Sequence, residues 1–329
     1  MKRPDWVSSW DLFICLLAFA VALFGFIAFP HFGTTFNISQ LIAGASERAL
    51  LVLPMMLLLI TRDIDLSVAS ILALTSVVLG LSIQIGLQFE LAVVLTMFCG
   101  AALGAFNGFL STTVGLHSLV VTLGTMALFR GIGYMLLGTG SVNVLPDALL
   151  DFGFTNVGSS SIPWTIVPFL LILPIFGIVI HKMPLGRKIF AIGGNPATAL
   201  YSGISVNKIR FYLFVFSGVI CSIAGIVYTA RLANARANNA FGMELDVITI
   251  AILGGVSVFG GKGGALGVVG ALSLVVLVRN LLGINGIGGD AQSTSIGLML
   301  IAALLIGNFT PQITSGIRSL LSRSRSSAD

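Results

Sequence analysis

Long apolar runs, separated by short polar or glycine-rich breaks, recur along the whole chain. A hydrocarbon core of about 30 Å takes roughly 20 apolar residues per helix. Runs of about that length predict ten spans: Leu12–Phe29, Leu41–Thr61, Leu66–Ile85, Leu91–Thr112, Ser118–Leu137, Pro163–Ile180, Phe211–Ala230, Leu245–Gly260, Ala265–Leu282 and Thr294–Phe309. Two of them are weak. The second contains Glu47, Arg48 and Pro54, and the eighth is short and runs into glycines. The eighth is therefore a candidate for a broken or re-entrant segment, a backbone tolerated only where protein or a water-filled cavity satisfies it.

Composition agrees with the pattern. Of 329 residues, 56% are apolar and 9% charged, with a mean hydropathy of +1.05; a soluble domain carries about a quarter charged residues. The expected fold is an all-α polytopic membrane protein of about ten transmembrane helices, one transmembrane domain over residues 1–329, with the lipid bilayer as its surroundings. A net charge of +5 would suggest nucleic acid only if it clustered on a soluble domain, and no such domain is present. The cations instead mark topology. With both termini cytoplasmic, the inner face holds Lys2, Arg3, Arg62, Lys182, Arg187, Lys188, Lys208, Arg210, Lys262, Arg318, Arg323 and Arg325, twelve of the seventeen Lys and Arg residues. One helix more or fewer in the middle would put the basic tail opposite the basic loop. Lys2 and Arg3 precede a run too long for a signal peptide, which reads as an uncleaved first span. Outside lie Gly138–Ile162, the Asn-rich Leu232–Glu244 and the glycine turn Gly283–Asp290.

The residues exclude several chemistries. Cys15, Cys99 and Cys221 sit in apolar runs without a pairing pattern, and His31, His117 and His181 have no Cys or carboxylate at ligand spacing, so no disulfide, metal or cofactor is expected. No G-x-S-x-G elbow and no catalytic set is present. The glycines around Lys262 fail the phosphate-loop pattern at both ends: Val256 stands six positions before the lysine and Gly263 follows it. If ATP drives this chain, another subunit must bind the ATP. Gly100, Gly104 and Gly108, four apart, suit close helix packing, with a dimer interface as the weaker alternative.

Charged and amide groups within spans are the better lead, because they are costly there unless paired or wetted. Glu47 and Arg48 are adjacent, point to different helix faces, and need partners elsewhere. Arg130 reads as a member of a structural ion pair. Asn107, Thr122, Thr125, Ser257 and Asn280 are candidates for lining a path for a hydroxylated, uncharged solute, and each could equally be an interhelical hydrogen bond. Asp63 and Asp65 resemble the carboxylates of ion-coupled carriers. Beside Arg62 at a predicted interface, they read equally as solvated charge or as a helix cap.

The basic, Gly/Pro-broken stretch from His181 to Arg210 contains LGRKIFAIGGNPATALYSGISVNKIR, and GMELDVITIAILGGVSVFGGKGG follows from Gly242. Together with IDLSVAS at Ile64–Ser70 and HSLVVTLGTMALFRG at His117–Gly131, these motifs strongly resemble permease subunits of bacterial ABC importers for monosaccharides, the family of the ribose, xylose, rhamnose and autoinducer-2 systems. The resemblance covers roughly Leu41–Gly307. It implies a bacterial inner-membrane subunit that is not itself an enzyme. Its implied partners are a cytosolic ABC ATPase, a periplasmic solute-binding protein and a second permease, either a copy or a paralogue. The loop at about 181–210 would carry the coupling segment, with Gly194, Asn195, Pro196, Ala197, Ala199, Ser202 and Gly203 at the ATPase contact. Where the family commonly reads Gly-Gly before IDLS, this chain has Thr61-Arg62-Asp63, a departure pointing to a subgroup, with the rhamnose type as the expectation. The rival reading, an ion-coupled secondary carrier, would show inverted repeats with paired broken helices, and the halves show no convincing repeat.

Overall fold

The computed structural model describes residues 8–302 and residue 305, so Lys2, Arg3 and the basic tail after Ile317 lie outside the described residues. The chain is helical in the order α1 (Ser9–Ala28), α2 (Thr35–Ile60), α3 (Val68–Gln84), α4 (Phe89–Thr112), α5 (Ser118–Leu137), α6 (Asp147–Phe154), α7 (Val167–His181), α8 (Pro184–Gly194), α9 (Pro196–Tyr201), α10 (Val206–Leu232), α11 (Met243–Leu253) and α12 (Ala265–Ile284). A further helix occupies residues 289–302.

Seven helices among the described residues are long and apolar enough to cross a bilayer: α1, α2, α4, α5, α7 with the single 3₁₀ turn before it, α10 and α12. Three of the ten predicted spans differ. The third is the apolar α3, at 17 residues. The eighth shrinks to the 11 residues of α11, about 16 Å of helix, because Gly254 ends it and Gly255 turns left-handed at φ 84°. The tenth, Thr294–Phe309, runs past the described residues.

The second span, weak by hydropathy, is the centre of the bundle. Its apolar window is 78% buried, against 22% for α1 and α4, and every residue from Ala45 to Ile60 except the half-buried Arg48 is buried. Pro54 lies inside this helix without ending it, as proline can in a membrane helix whose neighbours satisfy the freed carbonyl. Around α2 pack α10, α11, α12 and α7, while α1 lies outside against α12.

The spacing of Gly100, Gly104 and Gly108 does its packing within the chain. A Cβ on Gly100 would strike the Gly218 carbonyl oxygen, and one on Gly104 the carbonyl of Phe214, so α4 and α10 approach backbone to backbone. Where apolar burial gives no preference between lipid and protein, such close contact supplies the association. On the Gly138–Ile162 segment, α6 packs against the far end of α10, and Gly153 lies directly on the Ala230 carbonyl.

Candidate coupling site and translocation residues

One end of the bundle is assembled on residues 61–67. Helix α2 stops in a Schellman arrangement: the Asp63 N–H donates to Leu58 O at 2.8 Å and the Arg62 N–H to Leu59 O at 3.0 Å. The motif places Arg62 in the left-handed region, φ 70°, where glycine is the usual occupant. The Arg62 side chain then reaches the next basic segment. Its Nε donates to Gly193 O at 2.7 Å and its Nη2 to Gly194 O at 2.6 Å. These are last-turn carbonyls of α8, which have no partner within the helix and carry the negative end of its dipole. Gly193 is buried so tightly that a Cβ there would run into Ile60 O and Gly261 N, whereas Gly194 has open space. Gly261 N–H closes the joint on Ile60 O at 2.9 Å.

Asp63 and Asp65 are not solvated. Both are fully buried. Arg210, near the start of α10, holds Asp63 through Nε at 2.7 Å and through Nη2. Asp65 accepts from Ser67 N at 3.0 Å, Ser67 Oγ at 2.6 Å and Ser217 Oγ at 3.1 Å, while Ser67, not Asp65, stands at the N-cap of α3. Burial pushes its carboxyl above the usual carboxylate range, and the bonds from Ser67 and Ser217 pull the other way. Ser118 Oγ accepts from Ile64 N–H at 3.3 Å, and Thr122 Oγ1 donates to Ile64 O at 2.9 Å. With Asn107 of α4 bonded to Ser67 Oγ, six elements meet on seven residues: α2, α3, α4, α5, α8 and α10.

Beyond Gly194 the chain leaves the bundle. Asn195 ends α8 and caps α9 at once, its Oδ1 accepting from Ala197 N at 3.0 Å and Thr198 N at 3.1 Å. Pro196 takes the first helical position, where its missing N–H costs nothing. Ala199 turns inward onto Ile192 and Val206. Leu200 and Tyr201 point out, 60% and 91% exposed, and Ser202 and Gly203, at φ 79°, complete the turn.

The five path candidates do not converge. Asn107 is fully buried and donates to Ser67 Oγ at 2.8 Å. Thr122 is spent on Ile64 and Ser118 carbonyls. Thr125 is buried, with only a 3.5 Å bond to Thr122 O. Ser257 belongs to the 257–262 turn. Asn280 exchanges two hydrogen bonds with Asn37, at 2.8 and 3.1 Å. Four of them, all but Thr125, make a firm interhelical or local hydrogen bond.

At the other end of α10 the chain turns back through residues 233–242. Below that loop, Asp246 is bracketed by Arg48 Nε at 3.0 Å and Arg279 Nη2 at 2.8 Å, while Glu47 accepts from Arg231 Nε at 2.6 Å. Each member of the adjacent Glu47–Arg48 pair thus finds its own distant partner. Arg130 bonds the Ala237 and Asn239 carbonyls, at 2.9 and 2.6 Å, rather than a carboxylate. Arg48, Asp246 and Arg279, with Asn239 and its neighbours in the loop, line a cavity of about 400 Å³. None of the five candidates lines it. The Asn-rich composition of Leu232–Glu244 was the signal for it. Among the described residues no cluster of His, Cys, Asp and Glu is placed to hold a metal ion.

Comparison with known proteins adds kinship. The family described as branched-chain amino acid transport system / permease component matches residues 37–308. The D-allose transport system permease protein AlsC of Escherichia coli (strain K12) is 36% identical over 93% of this chain and 94% of its own length. The ribose import permease protein RbsC of the same strain is 33% identical over 85% and 88%. The L-arabinose transport system permease protein AraH, also of that strain, is 31% identical over 91% of each. No solved structure matches.

Proposed function

The chain belongs to the family of branched-chain amino acid transport system permease components, and from that premise we propose that it is the membrane subunit of an ATP-driven importer for a monosaccharide. Relatives named for allose, arabinose and ribose transport support the solute class, and the kinship argues against an ion-coupled carrier. The chain would lie in a bacterial inner membrane, cross it about ten times with both ends in the cytoplasm, and pair with a second permease. A periplasmic binding protein would deliver the sugar.

The observation that carries the mechanism is the Arg62 clamp. An ATPase docked on Gly194–Gly203 moves α8 and α9, whose exposed Leu200 and Tyr201 suit a protein groove. Arg62 passes that movement to the end of α2, the most buried of the seven long apolar helices. Asp63–Arg210 and Asp65–Ser217 carry it to α10. ATP binding shifts the permease only if the ATPase grips one of its states more tightly than the other, since equal affinity shifts nothing.

A bulky residue at Gly194 or Pro196 tests the docking role. Open space at Gly194 lets the side chain be accommodated, so the variant should insert, assemble and hydrolyse ATP while uptake stops. Uptake at the unsubstituted rate would remove the docking role.

A further inference from the structure

The cavity beneath residues 233–242 asks for a ligand. Its roof is not helical: Ala233 and Ala240 are left-handed at φ 50° and 56°, as is Gly242 at 82°. Such backbone forms no helical ladder of its own, so its polar groups need other partners. Here it is held open by outside partners. Arg130 binds two of its carbonyls, and Val142 and Ala235 exchange backbone hydrogen bonds at 3.0 and 2.9 Å.

The lining is chemically mixed. Asn234, Asn238 and Asn239 bring amides, the floor is the Arg48–Asp246–Arg279 bracket, and Tyr228 and Phe241 add rings. Both rings are steadied by guanidinium groups, Arg231 over Tyr228 at 5.5 Å and Arg130 over Phe241 at 5.7 Å. Two lining side chains keep a buried polar atom without a hydrogen-bond partner among the described residues: the acceptor Oδ1 of Asn234 and the donor Nε of Arg279. Buried polar atoms are normally bonded, and exceptions call for an explanation.

These features select a class of solute. A cation would meet three arginines, Arg48, Arg236 and Arg279, against the one lining carboxylate, Asp246. An anion, which only accepts, would leave the amide carbonyl oxygens unused. A hydroxyl donates and accepts in one group, so a ring of neighbouring hydroxyls can serve both orphaned atoms, with its C–H face against an aromatic wall. A volume of about 400 Å³ falls within the roughly 300–1,000 Å³ of small-molecule sites. We propose that this cavity is a binding station for a neutral monosaccharide inside the permease, with the side chains of Asn234 and Arg279 taking its hydroxyls. The proposal rests on the permease reading and adds to it a site within this chain, separate from the binding protein.

The test uses the full chain with its ATPase in proteoliposomes, without binding protein. Asn238 is exposed and lines the cavity, so Asn238→Cys can be labelled with an impermeant maleimide, with the unsubstituted chain as the baseline. D-allose, D-ribose and L-arabinose are the probes. At least one should slow labelling roughly tenfold at about ten times its dissociation constant, and Asn234→Leu on that background should remove the protection. Choline and citrate, at the concentration of the protecting sugar, should not slow labelling. Labelling indifferent to all three sugars, or slowed equally by choline or citrate, overturns the proposal. If Asn234→Leu fails to assemble, Phe241→Ala, at an 82% exposed ring, takes its place and should weaken protection severalfold. Vesicles of the same preparation, given binding protein and ATP, separate the two readings. Sugar uptake without protection overturns the cavity alone, while absence of ATP-driven uptake of any sugar overturns the permease reading.

Discussion

Residues 61–67 and residues 233–242 are both polar islands in an apolar bundle, and they are built on opposite rules. In the first, Asp63, Asp65 and both backbone groups of Ile64 have partners within the protein, with Asn107 Oδ1 left over at the edge. In the second, a donor and an acceptor remain unpartnered around open space. A buried network that satisfies itself is rigid and ties its elements together. One that leaves atoms waiting is prepared for a molecule that comes and goes. The first suits transmission of force, and the second suits solute.

The contrast can be broken most severely at Asp63. Asp63→Ala leaves Arg210 facing a low-dielectric site without its counter-ion, a change worth about 3 kcal/mol, toward the low end of the usual range because the Arg210 side chain keeps 23% exposure. Thermal unfolding in detergent should show the loss, and little folded protein should be recovered from membranes. An unchanged unfolding temperature would mean that the inner knot carries no stability.

Next comes the pair of neighbouring glycines. Gly193→Ala forces a methyl into Ile60 O and Gly261 N and should cost about 1–3 kcal/mol. Gly194→Ala meets nothing and should stay within about 0.5 kcal/mol. Unfolding temperatures of the two variants, one residue apart, check the close seating of α8 on the end of α2.

Arg62→Gly sharpens the comparison differently. It relieves a left-handed residue worth about 1–2 kcal/mol and forfeits two charge-assisted hydrogen bonds of similar total worth. Stability should hardly move, while sugar transported per ATP hydrolysed falls severalfold. A merely structural arginine would leave that ratio unchanged. The smallest effect belongs to Asn280→Ala, which removes one side of the Asn37–Asn280 exchange and should cost about 0.6 kcal/mol, with uptake preserved.

Helix placement was largely legible, because hydropathy reports directly on what lipid tolerates. Where it misled, the cause was partnership across long sequence separations. Glu47 and Arg48 lower the hydropathy of α2, yet their partners Arg231 and Asp246 stand 184 and 198 residues away, so the weakest-looking span is the most protected one. Asp63 looked solvated for the same reason, its arginine being 147 residues on. The need for partners was readable from the sequence, but not which ones. The role proposed for the Asn195–Pro196 start of α9 comes from resemblance alone. Arg62 carries a signal of its own: a bulky cation where glycine is customary must be compensated by something the side chain reaches.

The most direct test follows sugar accumulation in proteoliposomes holding this chain with its second permease, the ATPase and the binding protein. The account predicts uphill accumulation only with ATP on the ATPase side. With Gly194→Trp, hydrolysis should continue and accumulation cease. Accumulation by this chain alone, driven by an ion gradient and indifferent to ATP, would contradict it.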